Sequence, residues 1–196
     1  MGNIIRYKAR LVAQGYSQQP GTDFDEIFSP VVRYDSLRLL IALSFHFNWL
    51  PDQLDIKGVF LYGYLQDEIY MALPVGYEQD GHCARLNRSI YGLKQSPKAW
   101  YDHLTSYLLR LGFQLSSFDP CILINLQDQM FIAIYVDDII LFGCPGQART
   151  ALKNALKSEF QLTELGTLNW LLGIQIAYQS NVVTLSQRAY IDKILS

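Results

Sequence analysis

The chain has 196 residues, half of them hydrophobic, a net charge of −2 and a pI near 5.9. That length and apolar content suffice for one ample core or two small lobes and exclude disorder as the default state, while the charge excludes a protein held to nucleic acid by bulk electrostatics alone. No apolar stretch reaches the roughly 18 residues of a membrane span, and Met1–Arg6 lacks the length and apolar centre of a signal peptide, so a soluble intracellular protein is expected. Along the chain, residues 6–14 read as a short strand and 18–30, with two prolines and Gly21, as a loop. Asp35 or Ser36 can cap a helix carrying Leu37, Leu40, Ile41 and Phe45 on one face, and 50–56 returns as a strand. Met71–Leu73 leads into a Pro74-Val75-Gly76 turn, and 81–93 is short strand and loop. Ser96-Pro97 is a strong helix start, because serine can cap and the missing N–H of proline costs nothing in the first turn. Trp100, Leu104, Tyr107, Leu108 and Leu111 follow at helical spacing before Gly112 ends the helix. Strands are expected over 121–126 and 130–142, and a helix over 147–160 with Ala148, Leu152, Ala155 and Leu156 inward. A hairpin of 171–178 with 182–185 precedes a last helix, capped by Ser186, through Tyr190, Ile191 and Ile194.

The strand pairs are joined by turns too short for parallel crossovers, so the fold class is α+β, with helices packed on one face of an antiparallel sheet. Cys83, Cys121 and Cys144 are odd in number and lack metal-ligand spacing, and read as reduced core thiols. Between Gly81 and Tyr101 stand four cations, Arg85, Arg88, Lys94 and Lys98, and no carboxylate; Arg6, Lys8 and Arg10 form a second acid-free cluster. Both clusters could meet phosphates, but taken alone they favour the reading as solvated surface charge.

The stretch FIAIYVDDIILFG (131–143) sets Asp137 and Asp138 between apolar runs of six and four residues. Successive strand side chains point to opposite faces, so adjacent acids share a site only where the chain turns, which implies a tight hairpin. Asp is common in turns for local reasons, since its side chain bonds nearby backbone N–H groups. The other reading is chemical: two carboxylates beside an apolar sheet raise one another's pKa, a cost that falls away with a divalent cation between them. A Mg²⁺ site needs a further hard oxygen ligand. Asp55, in QLDIKGVFLYG (53–63) at the end of an apolar strand and before Gly58, is the leading candidate; a cap of the following turn is its alternative.

These residues resemble a known family. YVDDI (135–139) is similar to the Tyr-x-Asp-Asp box of reverse transcriptases, in the form found in copia-type LTR retrotransposons. KARLVAQGYSQQPGTDFDEIFSPVVR (8–33), QLDIKGVFLYGYLQDEIYM (53–71), LNRSIYGLKQSPKAWY (86–101), LGTLNWLLGIQI (165–176) and LSQRAYIDKIL (185–195) match the same polymerase domain in order and spacing over nearly the whole chain. The resemblance implies a right-hand polymerase: partial fingers at about 1–50 and 61–93, palm at about 51–60 and 94–178, and the start of a thumb at about 179–196. It implies RNA-directed DNA polymerase activity by a two-metal mechanism, with Asp55, Asp137 and Asp138 as catalytic metal ligands, joined by the backbone carbonyl of Ile56, and two Mg²⁺ ions, Mn²⁺ being an alternative. Lys8, Arg10, Phe60, Tyr91, Gly92, Lys94 and Gln95 are its implied nucleotide-binding residues, Phe60 as the aromatic that excludes a ribose 2′-hydroxyl, which requires a bend at Gly58. Tyr135, Leu172 and Gly173 are implied at the primer. The implied partners are an RNA or DNA template with its primer, dNTPs, and the integrase and RNase H parts of a Pol polyprotein, with no membrane; the implied location is a cytoplasmic virus-like particle and later the nucleus. The chain reads Lys57-Gly58-Val59-Phe60 where the family pattern has Asn then Ala between that lysine and phenylalanine; glycine is expected to loosen the strand end and valine to add bulk. Lacking upstream fingers strands and ending inside the first thumb helix, the chain is expected to be a fragment, with an inactive relic or a non-catalytic nucleic-acid-binding remnant as the alternative.

Overall fold

The computed structural model describes residues 7–195, which form two compact units, residues 7–30 with Gly58–Tyr107 and Val31–Lys57 with the chain from Leu108 onward. The helices are α1 (Tyr34–His46), α2 (Ser96–Arg110), α3 (Gln147–Glu159) and α4 (Arg188–Leu195). The strands are β1 (Asp52–Ile56), β2 (Tyr70–Met71), β3 (Ala84–Arg85), β4 (Gln114–Leu115), β5 (Ile122–Asn125), β6 (Met130–Tyr135), β7 (Asp138–Gly143), β8 (Leu162–Thr167), β9 (Trp170–Leu171), β10 (Ile174–Gln179) and β11 (Val182–Ser186).

The second unit is built on an antiparallel sheet of order β4-β5-β6-β7-β1-β8, with the small antiparallel sheet β11-β10-β9 beside it in sequence. The fold class is therefore α+β around an antiparallel sheet, as the short connections require. The centre of the large sheet is buried on both faces, which is why β7 reads as an unbroken apolar run rather than an alternation. Ile139, Ile140, Leu141 and Phe142 of β7 are all within 1% of full burial, and their neighbours Ile132 and Ala133 on β6 and Leu54 and Ile56 on β1 are equally covered. Each such large side chain contributes roughly 1.5–3 kcal/mol.

Strand parity decides which side of β1 meets a helix. Asp52, Leu54 and Ile56 point one way, and Asp52 reaches α3, where Arg149 Nη2 lies 2.9 Å from its Oδ2 and Lys153 also pairs with it. Glu164, opposite Leu54 on β8, pairs with Lys153 and Lys157 of the same helix. Arg149 is itself buried and divides its remaining donors among the carbonyls of Leu50, Leu141 and Gly143 at 2.7, 3.3 and 3.0 Å. One guanidinium thus ties the start of β1 and the end of β7 to the first turn of α3. Burial works against the Lys153 charge, but the hydrogen bonds it donates to Asp52 and Glu164 outweigh it and hold its pKa up.

In the first unit, β2 pairs with β3, and the first turns of α2 bury Trp100 and Leu104. The chain around Gln18 is stitched to the segment before α2: Lys94 N–H donates to Gln18 Oε1 and Gln18 Nε2 to Gln95 Oε1.

Several expectations change. Residues 7–14 are not a strand: they make one bridge, Val12 to Tyr91, and are largely exposed, because the stretch finds a single backbone partner rather than a ladder; Arg6 lies outside the described residues. Strand β8 was not expected, since its exposed, mostly polar residues carry no alternation, and it exists through its pairing with β1. Helix α1 starts at Tyr34, before Asp35, and buries Ser44 where Phe45 was expected. Ser96 does not cap α2; its hydroxyl donates to the Ile90 carbonyl. All three cysteines are free, but only Cys121 is buried, its thiol pushed up to about 12 by that burial. Helix α4 buries none of its residues.

The Arg149 clamp gives a direct test. Arg149→Met removes the guanidinium shared by three carbonyls and Asp52, and is expected to lower the free energy of unfolding by about 3 kcal/mol. Urea denaturation measures this, and an unchanged midpoint would show that α3 and the strand ends hold without it.

Candidate active site

Asp55 and Asp138 are brought together by register. Strand β1 pairs with β7 so that Asp55 lies directly opposite Asp138, and the Ile56 N–H donates to the Asp137 carbonyl at 3.0 Å. The pair Ile56/Asp137 is hydrogen-bonded, so by alternation Asp55/Asp138 is a non-hydrogen-bonded pair, the kind whose Cα atoms approach to about 4.5 Å and whose side chains lie closest. Both carboxylates point away from the α3 side of β1, since Asp55 is three residues from Asp52.

Asp137 arrives by the turn. Strands β6 and β7 are joined by only Val136 and Asp137, and Val136 has φ of 53°. Positive φ at the first central residue alone is the sign pattern of a type II′ hairpin turn, which ordinarily takes glycine there. A β-branched residue in this region is strained by about 1–3 kcal/mol. The tight hairpin expected from the Asp-Asp pair is present, and with it Asp137 stands exposed at the tip while Asp138 and Asp55 are half-buried.

The electrostatics follow from this crowding. Burial pushes the Asp138 carboxyl above its usual range, a hydrogen bond from Gln53 Nε2 to its Oδ1 at 2.9 Å pulls it back, and the charges of Asp137 and Asp55 push it up again; the net direction is up. Among the described residues no three His, Cys, Asp or Glu side chains are drawn into a ready-made metal cage. The three carboxylates are hard oxygen donors of the kind a divalent cation takes, and the charges of Asp137 and Asp55 both bear on Asp138.

The remaining candidates fall into two places. Tyr135 is half-buried opposite Asp138 across β6 and β7. Leu172 and Gly173 form the two-residue turn between β9 and β10 with φ of 52° and 76°, the type I′ sign pattern. Ile56 is buried in β1. In the first unit, Arg10 lies over the Tyr91 ring at 5.2 Å and Phe60 meets the same ring edge-on at 5.2 Å. Gly92 has φ of 93°, and a Cβ there would sit 2.1 Å from the Ala13 carbonyl, so only glycine allows this approach. Lys94 Nζ donates to the Gln18 carbonyl and lies over Phe24, while Gln95 is buried and donates to the Asp23 carbonyl. Lys8 is exposed two residues before Arg10. The chain does bend at Gly58, whose φ and ψ of 67° and 33° are left-handed, followed by a 3₁₀ turn over Val59–Leu61. That conformation is one glycine and asparagine share, so Gly58 meets a backbone demand beyond the end of β1 rather than loosening the strand. Val59 is buried.

The sequence family described as reverse transcriptase (RNA-dependent DNA polymerase) matches residues 2–196. The chain belongs to the reverse transcriptase family. It is 38% identical over 200 residues to the retrovirus-related Pol polyprotein from transposon TNT 1-94 of Nicotiana tabacum, covering 98% of this chain and 15% of that protein. It is 39% identical over 194 residues to the corresponding polyprotein from transposon RE2 of Arabidopsis thaliana, covering 96% and 13%. With the transposon Ty1-DR5 Gag-Pol polyprotein of Saccharomyces cerevisiae it shares 32% over 181 residues, 88% of this chain and 10% of that one. These relatives are Pol polyproteins of copia-type transposons, and this reverse transcriptase chain spans only a small part of their length.

Sequence reasoning singled out Asp55, Asp137 and Asp138, which register and the turn bring to one end of the strand pair, and missed Gln53, which bonds to Asp138. The signal was available: Gln53 stands two residues before Asp55, so strand parity alone puts it on the same face.

Two outcomes are expected. Val136→Gly relieves the strained turn and should raise stability by about 1 kcal/mol in urea titrations. For Asp138 the folded-state pKa is raised, so the folded form binds its proton more tightly than the unfolded form, and stability is lost as pH climbs from the ordinary carboxylate range through the raised folded value. Asp138→Asn in metal-free buffer should therefore stabilise the protein at pH 7 and leave it unchanged at pH 3; equal destabilisation at both pH values would contradict this origin of the shift.

Proposed function

We propose that the chain carries the nucleotidyl-transfer site of an RNA-directed DNA polymerase of a copia-type retrotransposon. The observation that carries the reading is the placement of Asp55 opposite Asp138, with Asp137 in the adjoining two-residue turn, in a chain whose family is that of reverse transcriptases.

In this reading β1, β6 and β7 belong to a polymerase palm, the N-terminal segment and residues 61–93 contribute to fingers, and 179–195 begins a thumb. Asp55, Asp137 and Asp138, with the Ile56 carbonyl, would hold the divalent cations, Mg²⁺ or in its place Mn²⁺. Bound there, two such ions would supply Lewis acidity to the primer 3′-hydroxyl and positive charge to the triphosphate and leaving pyrophosphate. The protein's own share is to place the three carboxylates at the end of a rigid strand pair and its adjoining turn. Phe60, against Tyr91, would stand where a ribose 2′-hydroxyl is refused; Lys8, Arg10 and Lys94 offer positive charge to the triphosphate, and Gly92 and Gln95 shape the segment beneath the nucleotide. Tyr135 and the Leu172-Gly173 turn would guide the primer terminus. The substrates are a primed RNA or DNA template and dNTPs, and the partners are the integrase and RNase H portions of a Pol polyprotein, in a cytoplasmic particle and later the nucleus. No helix among the described residues is long and apolar enough to cross a membrane.

The test is incorporation of dNTPs on a primed RNA template by the purified chain with Mg²⁺ or Mn²⁺. Incorporation is expected with either ion and should fall to background in Asp137→Asn. A chain that incorporates no more than this variant would leave the family fold without its chemistry.

A further inference from the structure

Gln53 is a buried polar side chain, 9% exposed, in the middle of the best-covered strand pair of the molecule. Such a group is tolerated only with a hydrogen bond that offsets its desolvation, and here the partner is the Asp138 carboxylate, 2.9 Å from Nε2. The register explains the reach. Gln53 lies directly opposite Ile140, and Asp138 is its diagonal neighbour on the same face, a separation of about 7–8 Å between Cα atoms that a long side chain spans. Asparagine, one methylene shorter, would fall short. Opposite Gln53 on the other side of β1, strand β8 carries a bulge between the partners of Gln53 and Leu54, a local irregularity of the kind that re-aims side chains.

The chemistry of the amide is apt. Lysine or arginine at this place would neutralise Asp138 and compete with any cation for it, while glutamate would add a fourth repelling charge. Glutamine donates to a carboxylate from a flexible side chain without altering the charge of the cluster.

We propose that Gln53 is a positioning residue that anchors Oδ1 of Asp138 and thereby fixes the orientation in which this carboxylate meets a divalent cation. The inference rests on the reading of Asp55, Asp137 and Asp138 as a metal site. Partners of this kind to a ligating carboxylate typically account for 10- to 100-fold in metal affinity.

The experiment measures Mn²⁺ binding to the full 196-residue chain by water-proton relaxation enhancement, for the unsubstituted protein, Gln53→Met, Gln53→Asn and Asp138→Asn, and for the double variant Gln53→Met/Asp138→Asn. Gln53→Met keeps the length and loses the donor, Gln53→Asn keeps the donor and loses the reach, and each is expected to weaken Mn²⁺ binding about tenfold. In the Asp138→Asn background the Gln53→Met substitution should have no further effect. Affinity of folded Gln53→Met within twofold of the unsubstituted chain, or a loss that persists undiminished without Asp138, overturns the proposal while leaving the metal site standing. Mn²⁺ binding that is absent, or indifferent to Asp138→Asn, overturns the metal reading and this inference with it. Should the Gln53 variants not fold, the side-chain amide resonances of Gln53 in the ¹⁵N-labelled chain serve instead: they are expected to move on Asp138→Asn and on binding of diamagnetic Mg²⁺, and resonances that stay in place overturn the proposal.

Discussion

The antiparallel pairing of β1 with β7 is the constraint on which the rest depends, because it sets two carboxylates against each other in the closest kind of cross-strand pair. The two charges repel, and that repulsion is one of the causes that push the Asp138 carboxyl up. The sheet tolerates this because the same strand carries Ile139, Ile140, Leu141 and Phe142 in succession, each buried and each contributing roughly 1.5–3 kcal/mol. Apolar burial along β7 exceeds the electrostatic penalty at its first residue. A one-residue slip would relieve the repulsion only by turning the whole strand over, which the packed centre forbids.

Parity then separates the two acidic roles on β1. Asp52 and Asp55 are three residues apart and so face opposite sides of the sheet. Asp52 meets two cations of α3, whereas Asp55 meets another acid. The same residue type is stabilising on one face and destabilising on the other, and the difference lies entirely in what the neighbouring element presents. The strain of Val136 adds to the unfavourable side at the same end of the hairpin.

Much of this was legible in the sequence because it follows from periodicity. Two adjacent acids between apolar runs implied a turn, and the chain turns there, with Asp137 in the turn and Asp138 opening β7. The parity that puts Gln53 with Asp55 was equally available, but a glutamine within a strand carries no signal of its own until its partner is known. Arg149 sits three residues before Leu152 and seven before Leu156, on the inward stripe of α3, so its burial was readable as an anomaly. Its partners were not readable, since Asp52 is 97 residues away and only the folded sheet brings it near. Strand β8 and the segment 7–14 failed for the same reason in opposite directions: backbone pairing is a property of two segments, and the pattern of one does not reveal whether the other is there.

The strand pair is therefore asymmetric in a way that bears on chemistry. At one end Arg149 satisfies Asp52 and three carbonyls at once, so that end has little to gain from any further ligand. At the other end three carboxylates and a strained turn leave a local excess of negative charge, moderated by one neutral amide. Because the locked end fixes the register, the acidic end cannot relax by sliding. Rigidity at the Arg149 end offsets the repulsion at the Asp138 end, and the Gln53 amide, which contributes no charge of its own, eases that repulsion without neutralising it.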